Sequence, residues 1–390
     1  MRFPPSPTTL RRPAVIAAAA LTLTLAAVPF LPDGPDDVGR TGAFAPSADN
    51  APPARTPSRG IVTAEMRAEI ERVIAAGAGL GVTDGRTTAA RKAARCATFE
   101  GQRYCLGMGW TDGSEVDVAA DLSERPTVGR ERTGDLDGSA LLARATERGE
   151  AARMRSEREE LTDAAESVGK VWMLRHEIQG VPLPEGFADN HPEISARAVG
   201  GAYPEHFSII KGSRSLSQNR TYWCGPATMQ AIGWGSSKER RDQAVWARRL
   251  RTSSAGTAIT DMVRVVNNHT TYDRRNYAGP YIALDIGDFS FEQWYRLMLR
   301  HIHDYKAPVV LHPVLLKQYY PYLDDDASGH FQVGRGFDQD EGGNRQIGYF
   351  EPWDQSRFDP SEPAIDRVQW RNAYKSYRAN LDHFQHNIGV

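Results

Sequence analysis

The stretch SQNRTYWCGPATMQAIGW, Ser217 to Trp234, decides how this 390-residue chain is read. It sets Cys224 at the point where a loop turns into a helix. Pro226 is tolerated in a first helical turn, where its missing N–H would have no partner anyway. Ala227, Met229, Ala231 and Ile232 then give a small apolar face, and Gly233 is expected to stop the run. A thiol on a first turn faces unpaired backbone N–H groups and the positive end of the helix dipole. Both favour the thiolate, the nucleophilic form. A buried structural cysteine is the ordinary alternative, so the neighbours have to decide.

Gln218, six positions before Cys224, is close enough for its side-chain amide to stand beside the sulfur. With the backbone N–H of Cys224 it would form an oxyanion hole for acyl transfer. Downstream, Gly329-His330-Phe331-Gln332-Val333 reads as a strand that begins at a histidine, a base to be carried to the thiol by the fold. A second expected strand, Gln346 to Phe350, ends in Glu351-Pro352-Trp353-Asp354. A carboxylate there could orient the imidazole and stabilise its cation.

Gln218, YWCGPA at 222–227, GHF at 329–331 and EPW at 351–353 together resemble the papain-like cysteine peptidases of the bacteriocin-processing type, family thirty-nine of the cysteine peptidases. The resemblance is to stand-alone secreted members and covers roughly residues 205–390. It implies a peptide-bond hydrolase with Gln218 as oxyanion donor, Cys224 as nucleophile and His330 as base. The family usually has an aspartate before the Pro-Trp pair, where this chain has Glu351. The third role therefore lies between Glu351 and Asp354. The implied fold is α+β: a helical subdomain facing a mostly antiparallel sheet across a cleft. Two other functions stay open, an acyltransferase or amidase using the same triad and a secreted binding module without chemistry.

The rest of the chain sets the context. A net charge of −2 gives no argument for nucleic acid or an anionic membrane. Arg2, Arg11 and Arg12 precede an apolar run from Ala14 to Val28, so residues 1–28 read as a signal peptide. Residues 29–60, rich in Pro, Gly, Ala and Asp, read as a disordered spacer that cannot bury enough surface to offset its ordering entropy. The expectation is a secreted protein with no stable membrane association once the signal is removed, acting on a peptide or protein.

Residues 61–200 read as a mainly helical N-terminal region, opened by a helix from Ile61 to Gly77 with Thr63 as N-cap. Cys96 and Cys105 flank a hairpin that a disulfide could close, permissible after export. That pairing leaves Cys224 as the odd cysteine. The region's position between signal and peptidase raises the idea of a pro-region over the cleft; a solvated helical arm is the plainer reading. In the domain spanning 201–390, helices are expected over 237–250, 257–267, 290–304 and 362–381, with strands at 281–284 and 308–315. Ser290-Phe291-Glu292-Gln293 reads as a capping box. His301, His303 and Asp304 invite a metal reading, but i and i+2 do not share a helix face. No metal or cofactor is expected, and His206, His269 and His312 have no partner visible in the sequence.

Overall fold

Among the described residues, ten short strands organise the fold, and His330 and Glu351 lie just beyond the ends of two of them. The computed structural model describes residues 59–123, 131–194, 202–274, 278–340, 342–358, 360–361 and 363–390. The expected signal peptide and the expected spacer up to residue 58 lie outside the described residues. All described residues fall in the compact unit Pro35–Val390. The strands are β1 (Cys96–Phe99), β2 (Gln102–Cys105), β3 (Gly109–Trp110), β4 (His206–Ser208) and β5 (Ala283–Asp285). They continue with β6 (Val309–Leu311), β7 (Gln332–Gln339), β8 (Arg345–Phe350), β9 (Val368–Asn372) and β10 (Asn387–Gly389). Their order in the sheet is β1-β2-β3-β5-β10-β6-β7-β8-β9. β4 pairs with Gly336 to Asp338 of β7, past the stretch from Gln332 to Gly334 that β6 takes.

The architecture is α+β. The sheet is mixed, because β3 runs parallel to β5 at Trp110 and Leu284 while the other strand pairs are antiparallel. Through that pair the N-terminal hairpin joins the same sheet as the strands of residues 201–390. The hairpin turns at Glu100 (φ 48°) and Gly101 (φ 79°), the two left-handed residues that suit the twist of a two-residue loop. Cys96 and Cys105 face each other across it and are disulfide-bonded.

Several sequence expectations hold. The helix Ala64–Ala76 starts at Thr63, whose side chain accepts from Met66 N–H, and it buries Met66, Ile70, Val73 and Ile74. Ser290 and Gln293 form the capping box of the helix Phe291–Leu299. The end of the expected spacer is ordered: Arg59 pairs with Asp163 and Glu166, and Gly60 N–H donates to Glu166 O at 2.8 Å.

Four expectations need correction. The cysteine helix does not stop at Gly233; it spans Cys224–Ser237 and ends where Lys238 turns left-handed at φ 62°. Gly233 is there for packing, since a Cβ at that position would run into the indole of Trp246. The helix expected from Ser237 is accordingly shorter, Gln243–Arg249. His330 precedes its strand, which starts at Gln332; a bridge between Val314 and Gly329 and a bond from His330 N–H to Pro313 O (2.9 Å) hold it instead. The stretch expected to be helical over 362–381 divides into β9 and the helix Ala373–Leu381. Trp370 and Arg371 are buried in β9 against β8, a packing preference that overrides the helical period.

The Gly233 contact is testable. Alanine would normally stabilise a helix interior over glycine by about 1 kcal/mol. Here Gly233→Ala is expected to destabilise by about 1–3 kcal/mol through overpacking against Trp246. Urea unfolding of the two proteins reads the sign directly.

Candidate active site

Cys224 opens its helix with no exposed surface. One turn later Thr228 donates its hydroxyl to the carbonyl of Phe331 at 2.9 Å, which ties the cysteine helix to the segment carrying His330. The backbone N–H groups of Phe331 and Gly225 reach the Cys224 sulfur. Burial pushes the thiol well up, the charge of Asp135 pushes it further, and those two N–H groups only partly offset this. In the conformation described, Cys224 is therefore a thiol.

His330 is fully buried, and its two ring nitrogens have different fates. Nε2 lies 2.8 Å from Glu351 Oε1. Nδ1 is buried with no hydrogen-bond partner. An ionised carboxylate accepts only, so the proton sits on Nε2 and the Nδ1 lone pair is unspent.

Glu351 is the most heavily supported charge in the site. Its Oε1 accepts from His330 and from Trp353 N–H (2.8 Å); its Oε2 accepts from the Tyr322 hydroxyl (2.6 Å) and from Gln332 Nε2 (2.6 Å). Burial alone would raise its pKa, but His330 and these donors hold it below the usual carboxylate value. Asp354 stands elsewhere: its carboxylate accepts from Ser356 at 2.8 Å and from Ser217. Of the two candidates, Glu351 is the one against the imidazole.

Gln218 comes to the same place by its backbone, whose N–H donates to Pro352 O at 2.8 Å. Gln243 reinforces the loop by accepting from Asn219 N–H (2.9 Å) and donating to Ser217 O (2.8 Å). The Gln218 side-chain amide donates to three carbonyls, Thr221 O (2.8 Å), Arg220 O (2.9 Å) and Thr133 O (3.3 Å). Two N–H bonds shared among three acceptors leave no donor to spare. The amide can serve an oxyanion only after one of these carbonyls withdraws.

Sequence reasoning missed the second polar cluster beside the site. Asp135 Oδ2 lies 2.9 Å from His383 Nε2, and Asp135 Oδ1 lies 2.9 Å from His312 Nε2. The His312 ring stacks on Phe331, next to His330, with centroids 4.5 Å apart. Among the described residues, these three offer metal-ligand atoms within 4.8 Å of one another. The His383 arm is a hydrogen bond, whereas Asp135 Oδ1 and His312 Nε2 face each other without one. Gln385 N–H donates to His383 Nδ1 at 3.2 Å, so the His383 proton is on Nε2, facing the carboxylate. Asn387 Nδ2 donates to Met108 O, which turns its Oδ1 toward His312 Nδ1 at 2.7 Å. Burial would raise the Asp135 carboxyl, yet the two histidines hold it at about 2. Burial depresses His383 to about 4.

The other histidine candidates serve structure. His301 Nδ1 faces Ala307 O at 3.1 Å, and His303 Nδ1 meets Asp304 at 2.7 Å. Trp353 is packed in the core against Phe358, while Trp223 is half-buried beneath the Arg220 guanidinium.

A family model described as the Peptidase_C39 like family matches residues 210–380. No curated protein matches the chain. The matched span contains Gln218, Cys224, His330 and Glu351. Residues 210–380 are thus similar to the Peptidase_C39 like family, which is a family of peptidases.

Proposed function

We propose that the protein is a secreted cysteine peptidase that hydrolyses peptide bonds through a thioester on Cys224. The observation that carries this reading is the oriented pair of Glu351 and His330 Nε2, with His330 Nδ1 buried and unspent on a residue whose neighbour Phe331 is bonded to the cysteine helix through Thr228. Such an imidazole can take the Cys224 proton through Nδ1 while Glu351 balances the cation. The thiolate attacks the peptide carbonyl carbon, and the carbonyl oxygen becomes the oxyanion. Its donors are the Cys224 backbone N–H and one N–H of Gln218, freed from Thr133 O. His330 returns its proton to the leaving amine, then takes one from water as the thioester is hydrolysed. Export is supported by the basic and apolar start of the sequence and by the Cys96–Cys105 disulfide.

Glu351 is one methylene longer than the aspartate usual in this family, and its four donors explain how the extra length is accommodated. Oε1 is turned onto His330 and Trp353 N–H, and Oε2 is drawn to Tyr322 and Gln332.

Two outcomes follow for hydrolysis of an unfolded protein such as reduced casein, each compared with a parent carrying Gly134→Val, since the intact site is fully buried. Cys224→Ala should remain folded and lose activity by about 10⁴-fold or more. Retained activity would rule out the thioester. Glu351→Gln should lose up to about 10⁴-fold, because the amide leaves His330 in the wrong tautomer, while Asp354→Asn changes little. The opposite ranking of these two in kcat/KM would move the third role to Asp354.

A further inference from the structure

Residues 131–136 come from the N-terminal half of the chain and lie between the loops that carry Cys224 and His330. Their bonds are those of an extended peptide laid in a channel. Glu131 O accepts from Ser328 N–H (2.8 Å), and Thr133 N–H donates to Ser328 Oγ (3.0 Å). The Thr133 hydroxyl donates to Gly329 O, the carbonyl just before His330, at 2.7 Å. Thr133 O itself accepts from Gln218 Nε2. Beyond it, Gly134 O accepts from Thr257 N–H (2.9 Å), and Leu136 N–H donates to Thr257 O (3.1 Å). Gly134 adopts φ +117°, and a Cβ there would come 2.6 Å from the backbone carbonyl carbon of Tyr222, two residues before Cys224. Asp135 fixes the far end through His312 and His383.

The consequence is complete burial: Gln218, Cys224, His330 and Glu351 all have 0% of their surface exposed. A peptidase in this state cannot admit a substrate.

We propose that Glu131 to Asp135 is a pseudosubstrate strap that occupies the enzyme's own peptide channel, so that catalysis requires its displacement. The proposal rests on the peptidase reading above and deepens it. Thr133 presents a carbonyl to the Gln218 amide in the place a scissile carbonyl would need. The side chain of Thr133 blocks Gly329 O, a backbone acceptor that an incoming peptide N–H would use. The channel as the strap fills it takes an extended peptide with glycine directly after that carbonyl, since Tyr222 leaves no room for a Cβ. Asp135 is the lock, because a buried carboxylate facing two imidazoles is costly to withdraw once paired.

The test is access to Cys224, the free cysteine among the described residues. Iodoacetamide labelling of the full chain at pH 8.5 reads access more than activation, since an ordinary thiol also reacts there. The intact protein should label slowly. Gly134→Val and Asp135→Asn should label faster by about tenfold or more, because each loosens a segment whose opening governs exposure. Thr133→Ala, which removes the hydroxyl contacts with Gly329 O and Ser328 Oγ and keeps the backbone bonds, should fall between them and the parent and guards against a variant that fails to fold. Circular dichroism and cooperative urea unfolding establish that each protein is folded. Folded variants labelling no faster than the parent would overturn the strap, as would a parent that hydrolyses reduced casein at the variants' rate; the latter result would leave the peptidase reading intact. Faster labelling without hydrolysis in any variant would support the strap and count against the peptidase.

Discussion

A carboxylate with no exposed surface must have its charge met by donors, and the site is built around meeting that of Glu351. Four donors reach it from four parts of the chain: His330 ahead of β7, Gln332 within β7, Tyr322 from the loop before it, and Trp353 N–H two residues on. The pairing of β7 with β8 sets Gln332 and Glu351 near each other at one end of the sheet. With Nε2 committed to Glu351, the imidazole has a single tautomer and leaves Nδ1 for the thiol. Removing any one donor leaves the others holding the charge; removing the charge leaves all four unsatisfied in a dry environment.

The candidate site residues that the structure brings together were legible because they carry chemistry in short local patterns. Cys224 at a helix start, His330 beside a strand and a carboxylate before Pro-Trp can be read from type and order alone. The choice between Glu351 and Asp354 was not legible. It depends on which carboxylate the turn at Pro352 points inward, and only the packed structure shows Asp354 turned to Ser217 and Ser356. The same limit explains the elements that were misread. Gly233 looks like a helix stop until Trp246, thirteen residues later, is seen to need its missing side chain. β10, at the end of the chain, lies in the middle of the sheet between β5 and β6, an insertion that no periodicity announces.

Least legible was the cooperation between the two halves of the chain. Asp135 is separated from His383 by 248 positions, and no pattern in either segment requires the other. Yet Asp135 anchors residues 131–136 against the active-site loops, and β3 carries the N-terminal hairpin into the shared sheet at β5. A polar cluster that is fully buried and paired specifies position more than it adds stability. It fixes where the segment lies with respect to Cys224. The raised pKa of the Cys224 thiol belongs to this covered arrangement, since burial is its main cause.

The most direct measurement is the pH dependence of Cys224 alkylation between pH 4 and 9 in the Gly134→Val protein, with and without His330→Ala. The account predicts that opening the channel lets His330 take the thiol proton, so rapid alkylation persists well below the ordinary thiol pKa of about 8.5 and is lost with His330. A rate in the opened protein that simply follows an ordinary thiol, unchanged by His330→Ala, would contradict it.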